Sequence, residues 1–339
     1  MNYKLLREKL IELYMICFPE DSRKYTEFFI DNKWDGGNCI TQFDGDTLIN
    51  MLFLVKKKMV VRGEVFDFPY MVAGGTRPEY RGKGIFTQVL LEAMESFQKS
   101  GKFPLTGLMP SAHSFYYKQN YVTHSFYEER TLKKKGILPI KEISFKQIPE
   151  IVDVYNDYMK DKSGWFVRGQ KECDLRLREI FEEGGHAYGL YENGKMNGYI
   201  MTFDDEEIEE YCAREEDYIE KFDTHFESYC VNVGSYGAEE NMIRVCDNKT
   251  LLSRIKYDST INETIKIEVI DNFHKMNSGK YEIVINDGAG KVCECQNAEH
   301  VLSIDQFSRL VMGCYRDDEF DKRLTRIFPT ILNCTLEKF

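Results

Sequence analysis

The sequence predicts an α+β fold, and three patterns carry that prediction. Met71 to Tyr121 reads as a strand, a basic loop with Gly82 and Gly84, and a helix in which Ile85, Val89, Ala93 and Phe97 recur four apart. Ahead of this stretch, three runs of strand-forming residues separated by turn residues read as an antiparallel meander. Towards the end, Ile265–Ile270 and Tyr281–Ile285 alternate apolar and polar side chains, as a sheet with one buried face requires. At 339 residues the chain is too long for one ordinary core and fits two or three domains.

Composition narrows the functional classes. Hydrophobic residues make up 42% and charged residues 30%, the balance of a folded globular chain. Apolar runs last only a few residues, so no membrane span is expected. The start, Met1 to Glu8, lacks the apolar region of a signal peptide. The ten cysteines follow no disulfide rhythm, and Cys293 and Cys295 share a strand face; reduced thiols and a cytoplasmic location are expected. The six histidines show no metal-ligand spacing, so no metal is expected. A net charge of −11 argues against a nucleic-acid partner and is compatible with a cationic substrate.

In chain order, Leu6, Leu10, Leu13 and Tyr14 form one helical stripe, and Tyr25, Phe28 and Phe29 begin another. Pro19 breaks them apart, with a fresh cap at Asp21 or Ser22. Cys39–Phe43, Leu48–Val55 and Met59–Phe68 read as strands, punctuated by Asp44-Gly45 and Arg62-Gly63. Tyr121 to Leu132 closes the first domain as a strand, and Lys133-Lys134-Lys135-Gly136 reads as a solvated linker. A second unit follows, with Ile151, Val154, Tyr155 and Tyr158 on one helical face and a helix from about Glu172 to Glu183. Asn193-Gly194 predicts a tight hairpin turn. The acidic stretch 204–223 is either a solvated helix or linker, or a cation-attracting wall. Met242–Cys246 reads as a strand, with helices near Lys249–Ile255 and Ser303–Val311.

The loop in the first unit has the makings of an anion site. The first N–H groups of a helix lack internal partners and sit at the positive end of its dipole. Gly82 and Gly84 admit close backbone approach, and Arg81 and Lys83 add positive charge. The bland alternative is a basic turn entering a surface helix.

Thr76-Arg77-Pro78-Glu79-Tyr80-Arg81-Gly82-Lys83-Gly84-Ile85 resembles the acyl-CoA pyrophosphate loop of the GNAT N-acetyltransferases. Phe115-Tyr116-Tyr117-Lys118-Gln119-Asn120-Tyr121 resembles their later F-Y-x-K-x-G-F signature. Phe86 stands where many members have Gly or Ala, which can narrow the approach to the pyrophosphate, but a bulky residue there resembles the Eis-type (enhanced intracellular survival) branch. Asn120 replaces a Gly and also tolerates a left-handed backbone. The tail resembles the sterol-carrier-protein-like domain of that branch. The resemblance implies a GNAT catalytic domain over 1–135, a degenerate GNAT-like domain over 136–235 and a sterol-carrier-protein-like domain over 236–339.

It also implies the chemistry, acetyl-CoA-dependent acetyl transfer to an amine of a small, aminoglycoside-like polyamine. The backbone over Gly82, Lys83, Gly84, Ile85, Phe86 and Thr87, with Arg81, would hold the pyrophosphate. Gly74, Gly75 and Thr76 would pair with the pantetheine arm, with Ser111 and Ala112 beside it. Tyr116 would be the general acid; the alternative is a packed aromatic, the reading that suits Tyr117 and Tyr121. His113 is a base candidate by type only. The base in the resembled branch is the C-terminal carboxylate, here that of Phe339, unless this tail is simply frayed. Phe29, Trp34 and Asp35 are acceptor-pocket candidates or plain packing residues. The resemblance further implies a homo-oligomer, with a hexamer as the size it suggests. Two other readings stay open: a protein-lysine acetyltransferase, and a non-enzymatic binder of CoA and an apolar ligand.

Overall fold

Arg62 and Gly63, with φ of +46° and +73°, turn one long ribbon back on itself. Its arms are β2 (Thr47–Val61) and β3 (Glu64–Thr76), preceded by β1 (Cys39–Asp44), so the meander forms as expected. β2 runs unbroken through Lys56–Lys58, where separate strands were expected. The in–out alternation continues there, with Lys56 and Lys58 exposed and paired to Pro69 and Asp67, and charge on a solvent face does not interrupt a ladder.

The structure is a computed structural model that describes residues 2–133, 136–203, 207–234, 236–316 and 318–337. Lys134 and Lys135 of the expected linker, Asp204–Glu206 of the acidic stretch, and Phe339 lie outside the described residues.

The chain divides into two compact units that do not follow chain order. The first holds the residues up to His124 and Glu240–Thr330. Helices α1 (Tyr3–Cys17) and α2 (Arg23–Lys33) open it, and Ser22 caps α2 by accepting from the Tyr25 N–H at 3.0 Å. After β3 come α3 (Ile85–Ser100), β4 (Leu105–Leu108), α4 (His113–Tyr117) and β5 (Val122–Thr123). β3 and β4 are parallel, and the later strand Met242–Val245 lies antiparallel between β4 and β5. The strand expected at the head of the C-terminal module thus lies within the first sheet.

That module contributes a second sheet, ordered Ala289–Glu294, Gly279–Asn286, Glu263–Ile270 and His300–Ser303. Ile265, Ile267, Val269, Ile283 and Ile285 form its buried face, as the alternation predicts. The helix Ile304–Met312 follows, started by a Ser303–Gln306 capping box and ended by Gly313 at φ +70°. A short helix, Lys322–Ile327, was not foreseen.

The second unit comprises Ser125–Glu239 and the segment from Ile331. Its antiparallel sheet is ordered Glu210–Ala213, Lys195–Thr202, His186–Glu192 and Lys141–Glu142, and Asn193-Gly194 makes the expected left-handed turn. Helices Ile148–Met159 and Gln170–Glu182 contribute to its core. One expectation fails here. Within the acidic stretch, Glu210–Ala213 is a buried strand and not the expected solvated helix or linker. Arg168 and Arg176 pair with Glu210, so the carboxylate survives burial. Burial alone would raise Glu210; the two arginines bring it below its ordinary value.

Candidate active site

β3 carries an irregularity near its end. Phe53 of β2 pairs with Val72 and Met51 with Gly75, so Ala73 and Gly74 together face Leu52. Ala73 takes φ +46°, a conformation that costs a non-glycine residue about 1–3 kcal/mol. Past this bulge β3 outruns its parallel neighbour: the two pair at Tyr70↔Gly107, β4 stops at Leu108, and β3 continues to Thr76. Among the described residues, no strand pairs with the end of β3 on that side.

Gly74 and Gly75 serve opposite faces. A Cβ on Gly74 would meet the Phe86 ring at 2.6 Å, and one on Gly75 would meet the Cys17 Sγ at 2.7 Å. Phe86 thus turns inward over Gly74 instead of crowding the mouth of the loop, which corrects the expected narrowing. Its ring lies 5.8 Å from Phe115.

The loop itself is open. Gly82 and Gly84 have φ of +74° and +77°, and a Cβ on either would meet no atom within 4 Å. Gly84 is the N-cap of α3, with no side chain accepting from the first turn. Among the described residues, the N–H groups of Ile85, Phe86 and Thr87 lack a recorded acceptor, the condition an anion site needs. Arg81 donates from Nε to the Thr76 carbonyl at 2.9 Å, which ties the loop to the end of β3. Lys83 lies over the Tyr80 ring at 4.8 Å, and Tyr80 donates to Asp44 at 2.7 Å. Cys17 borders the same corner; burial raises its thiol, opposed by Arg81.

Ser111 and Ala112 are exposed between β4 and α4, and Ala112 is the N-cap of α4. Tyr116 sits on α4, edge-to-face with Phe115 at 5.0 Å and Tyr121 at 5.6 Å. Rings from Phe86 to Tyr121 thus run from the loop helix to the signature helix. Among the described residues nothing hydrogen-bonds the Tyr116 hydroxyl, and burial pushes its phenol up to about 12. Its neighbours are already engaged: Tyr117 pairs with Thr123 at 2.8 Å, and Tyr121 donates to the Met71 sulfur at 3.3 Å. His113 Nε2 lies 3.0 Å from the Glu240 carbonyl, occupied by structure.

The three acceptor candidates have local roles. Phe29 packs on Tyr14 and Phe53, and Trp34 stacks on Tyr3 at 4.4 Å. Asp35 accepts from the Gly37 and Asn38 N–H groups, and Lys56 at 2.6 Å holds its carboxyl below the usual range. Among the described residues no His, Cys, Asp or Glu group could hold a metal ion, and no helix is long and apolar enough to cross a membrane. Sequence reasoning missed Cys17 and Ala73, neither of which belongs to a local motif.

Residues 6–123 match the family model described as an acetyltransferase (GNAT) domain, and 249–323 match the sterol carrier protein domain. A comparison with curated proteins finds no match. A GCN5-related N-acetyltransferase from Anabaena variabilis is similar in structure, with a TM-score of 0.80 at 16% identity over 100% of this chain and 98% of that one. A probable N-acyltransferase from Enterococcus faecalis gives 0.83 at 17%, over 100% and 98%. Eis1 from Mycobacterium abscessus gives 0.73 at 13%, again over 100% and 98%. At such identities the likenesses speak for the fold, and the family models speak for the activity. Residues 6–123 are a GNAT acetyltransferase domain and residues 249–323 a sterol carrier protein domain, in a chain whose fold is shared with that Eis1 structure.

Proposed function

We propose that this enzyme transfers an acetyl group from acetyl-CoA directly to an amine of a small polyamine of aminoglycoside type. The observation that carries the reading is the Tyr116 hydroxyl, which no described residue occupies, on the helix packed against the loop that would hold the donor. The N–H groups of Ile85, Phe86 and Thr87 suit a diphosphate, with Arg81 and Lys83 adding charge, and the end of β3 at Gly74, Gly75 and Thr76, which runs on past β4, suits the amides of a pantetheine arm. Ser111 and Ala112 would flank that arm.

The amine nitrogen attacks the thioester carbonyl, the C–S bond breaks, and the departing thiolate takes the Tyr116 proton. The burial that raises Tyr116 keeps it protonated at neutral pH, as an acid must be. For the base we propose the carboxylate of Phe339, on the resemblance alone; it would accept the ammonium proton through water. Of the acceptor candidates, Asp35 has the carboxylate to meet a cationic amine. We further propose that the enzyme works in the cytoplasm as a homo-oligomer.

Release of CoA with a panel of aminoglycosides and linear polyamines tests the reading. Tyr116→Phe is expected to lower kcat by about 10²–10⁴-fold, with acetyl-CoA binding unchanged. Full turnover by the mutant removes the acid role, and no turnover with any amine removes the acceptor class.

A further inference from the structure

Arg244 is fully buried, yet it belongs to no motif of the acetyl-transfer machinery. It sits on the strand Met242–Val245, and its guanidinium is completely engaged. Nη2 donates to both oxygens of Asp271 at 2.7 and 2.6 Å, and Nη1 donates to the Gln119 carbonyl at 2.8 Å and the Asn120 carbonyl at 3.2 Å. Nε points at the Met94 sulfur at 3.1 Å, and the Phe273 ring lies 5.5 Å away. Asp271 is fixed in turn. It accepts from the N–H groups of Phe273 and His274 at 3.1 and 2.8 Å and from the Asn277 amide at 3.2 Å.

The carbonyls Arg244 grips belong to the turn that leaves α4. The Tyr116 carbonyl accepts from the Gln119 and Tyr121 N–H groups at 3.0 and 3.1 Å, and Asn120 between them is left-handed at φ +60°. The turn is closed on one side by Tyr116 itself and on the other by Arg244. A buried ion pair seldom adds net stability over a well-packed apolar replacement. What this one supplies is direction: a planar fork held by one carboxylate aims its remaining donors at two consecutive carbonyls. The carboxylate comes from the residue that follows the strand Glu263–Ile270, within the C-terminal module.

We propose that Arg244, fixed by Asp271, is a positioning residue that sets the turn after α4 and thereby the place of the Tyr116 hydroxyl, making the sterol-carrier-like module part of the catalytic apparatus. The proposal rests on the reading of Tyr116 as the acid. A misplacement of about 1 Å at a reacting group can cost roughly 10²-fold in rate, so a looser turn lowers kcat without touching the loop that binds the donor.

The test is a mutant cycle in the full chain, with acetyl-CoA and whichever amine of the panel turns over fastest. Arg244→Lys keeps the charge and loses the fork. It is expected to lower kcat by about 10–100-fold and to leave the acetyl-CoA Kd within about twofold, while in a Tyr116→Phe background it changes the residual kcat by less than about twofold, because a residue acting through the phenol has nothing left to act on. Asp271→Asn, which keeps the shape and weakens the grip, is expected to behave in the same way and carries the test should the lysine variant fail to fold. Leu177→Ala, in the core of the second unit, controls for stability: it should lower Tm with kcat intact. An equal loss on Arg244→Lys in both backgrounds, or folded variants with unchanged kcat, overturns the proposal. Full turnover by Tyr116→Phe overturns the acid reading and this inference with it.

Discussion

Gly74→Ala reports how the loop helix is seated. The new methyl would lie 2.6 and 2.8 Å from two carbons of the Phe86 ring and 3.3 Å from a Leu52 methyl. Carbon atoms in contact sit about 3.5–4.0 Å apart, so the ring must retreat by about 1 Å. Retreat is opposed, because Phe115 stands 5.8 Å away and Phe86 belongs to the first turn of α3. Overpacking costs about 1–3 kcal/mol; with the ring hemmed in, a cost of about 2 kcal/mol is expected, or a Tm lower by about 4–8 °C for a unit of this size. Phe86→Ala alone opens a void and costs about 2–3 kcal/mol, less than a fully buried Phe because the ring is half-buried. In that background the Gly74 methyl has room, so its cost should fall below about 0.5 kcal/mol, a coupling of about 1.5 kcal/mol or more. The assay is denaturant unfolding of the four proteins, with acetyl-CoA titrations on each. Equal costs of Gly74→Ala in both backgrounds would refute the packing argument.

Other predictions follow from the same geometry. Because burial places the Tyr116 phenol at about 12, kcat should show no alkaline fall from this group below pH of about 10; a falling limb centred near pH 8, abolished in Tyr116→Phe, would contradict it. Arg168→Met should destabilise the second unit by about 3–5 kcal/mol, since Glu210 loses its 2.6 Å partner while buried; a urea midpoint equal to wild type would show the pair to be dispensable. Asn120→Gly should be neutral or stabilising by up to about 1 kcal/mol, because the position already has φ +60°, whereas Asn120→Val should lower Tm.

The sequence exposed what is local and hid what is not. The glycine loop, its helix and Tyr116 lie within one short stretch, so spacing and residue type sufficed to find them. Strands with strict alternation, such as Glu263–Ile270, were equally plain because one face must be dry. The acidic stretch misled, because nothing local reveals that Glu210 meets Arg168 and Arg176 across the fold. Phe86 stood out as unusual, but its fit depends on Gly74 a strand away. Arg244 was invisible for the same reason: its partners lie at Gln119 and Asp271, far along the chain on either side. Phe29 and Trp34 remain open between pocket and packing, because aromatic side chains serve pockets and cores alike.

The central claim is that the amides opening α3 hold the donor so that Tyr116 faces its sulfur. A crystal structure of the enzyme with acetyl-CoA tests this most directly. The account predicts diphosphate oxygens within about 3.2 Å of the Ile85, Phe86 and Thr87 nitrogens, and the thioester sulfur about 3.5 Å from the Tyr116 hydroxyl, to close further in the reacting complex. A diphosphate bound elsewhere, or a sulfur on the far side of β3 from that hydroxyl, would contradict it.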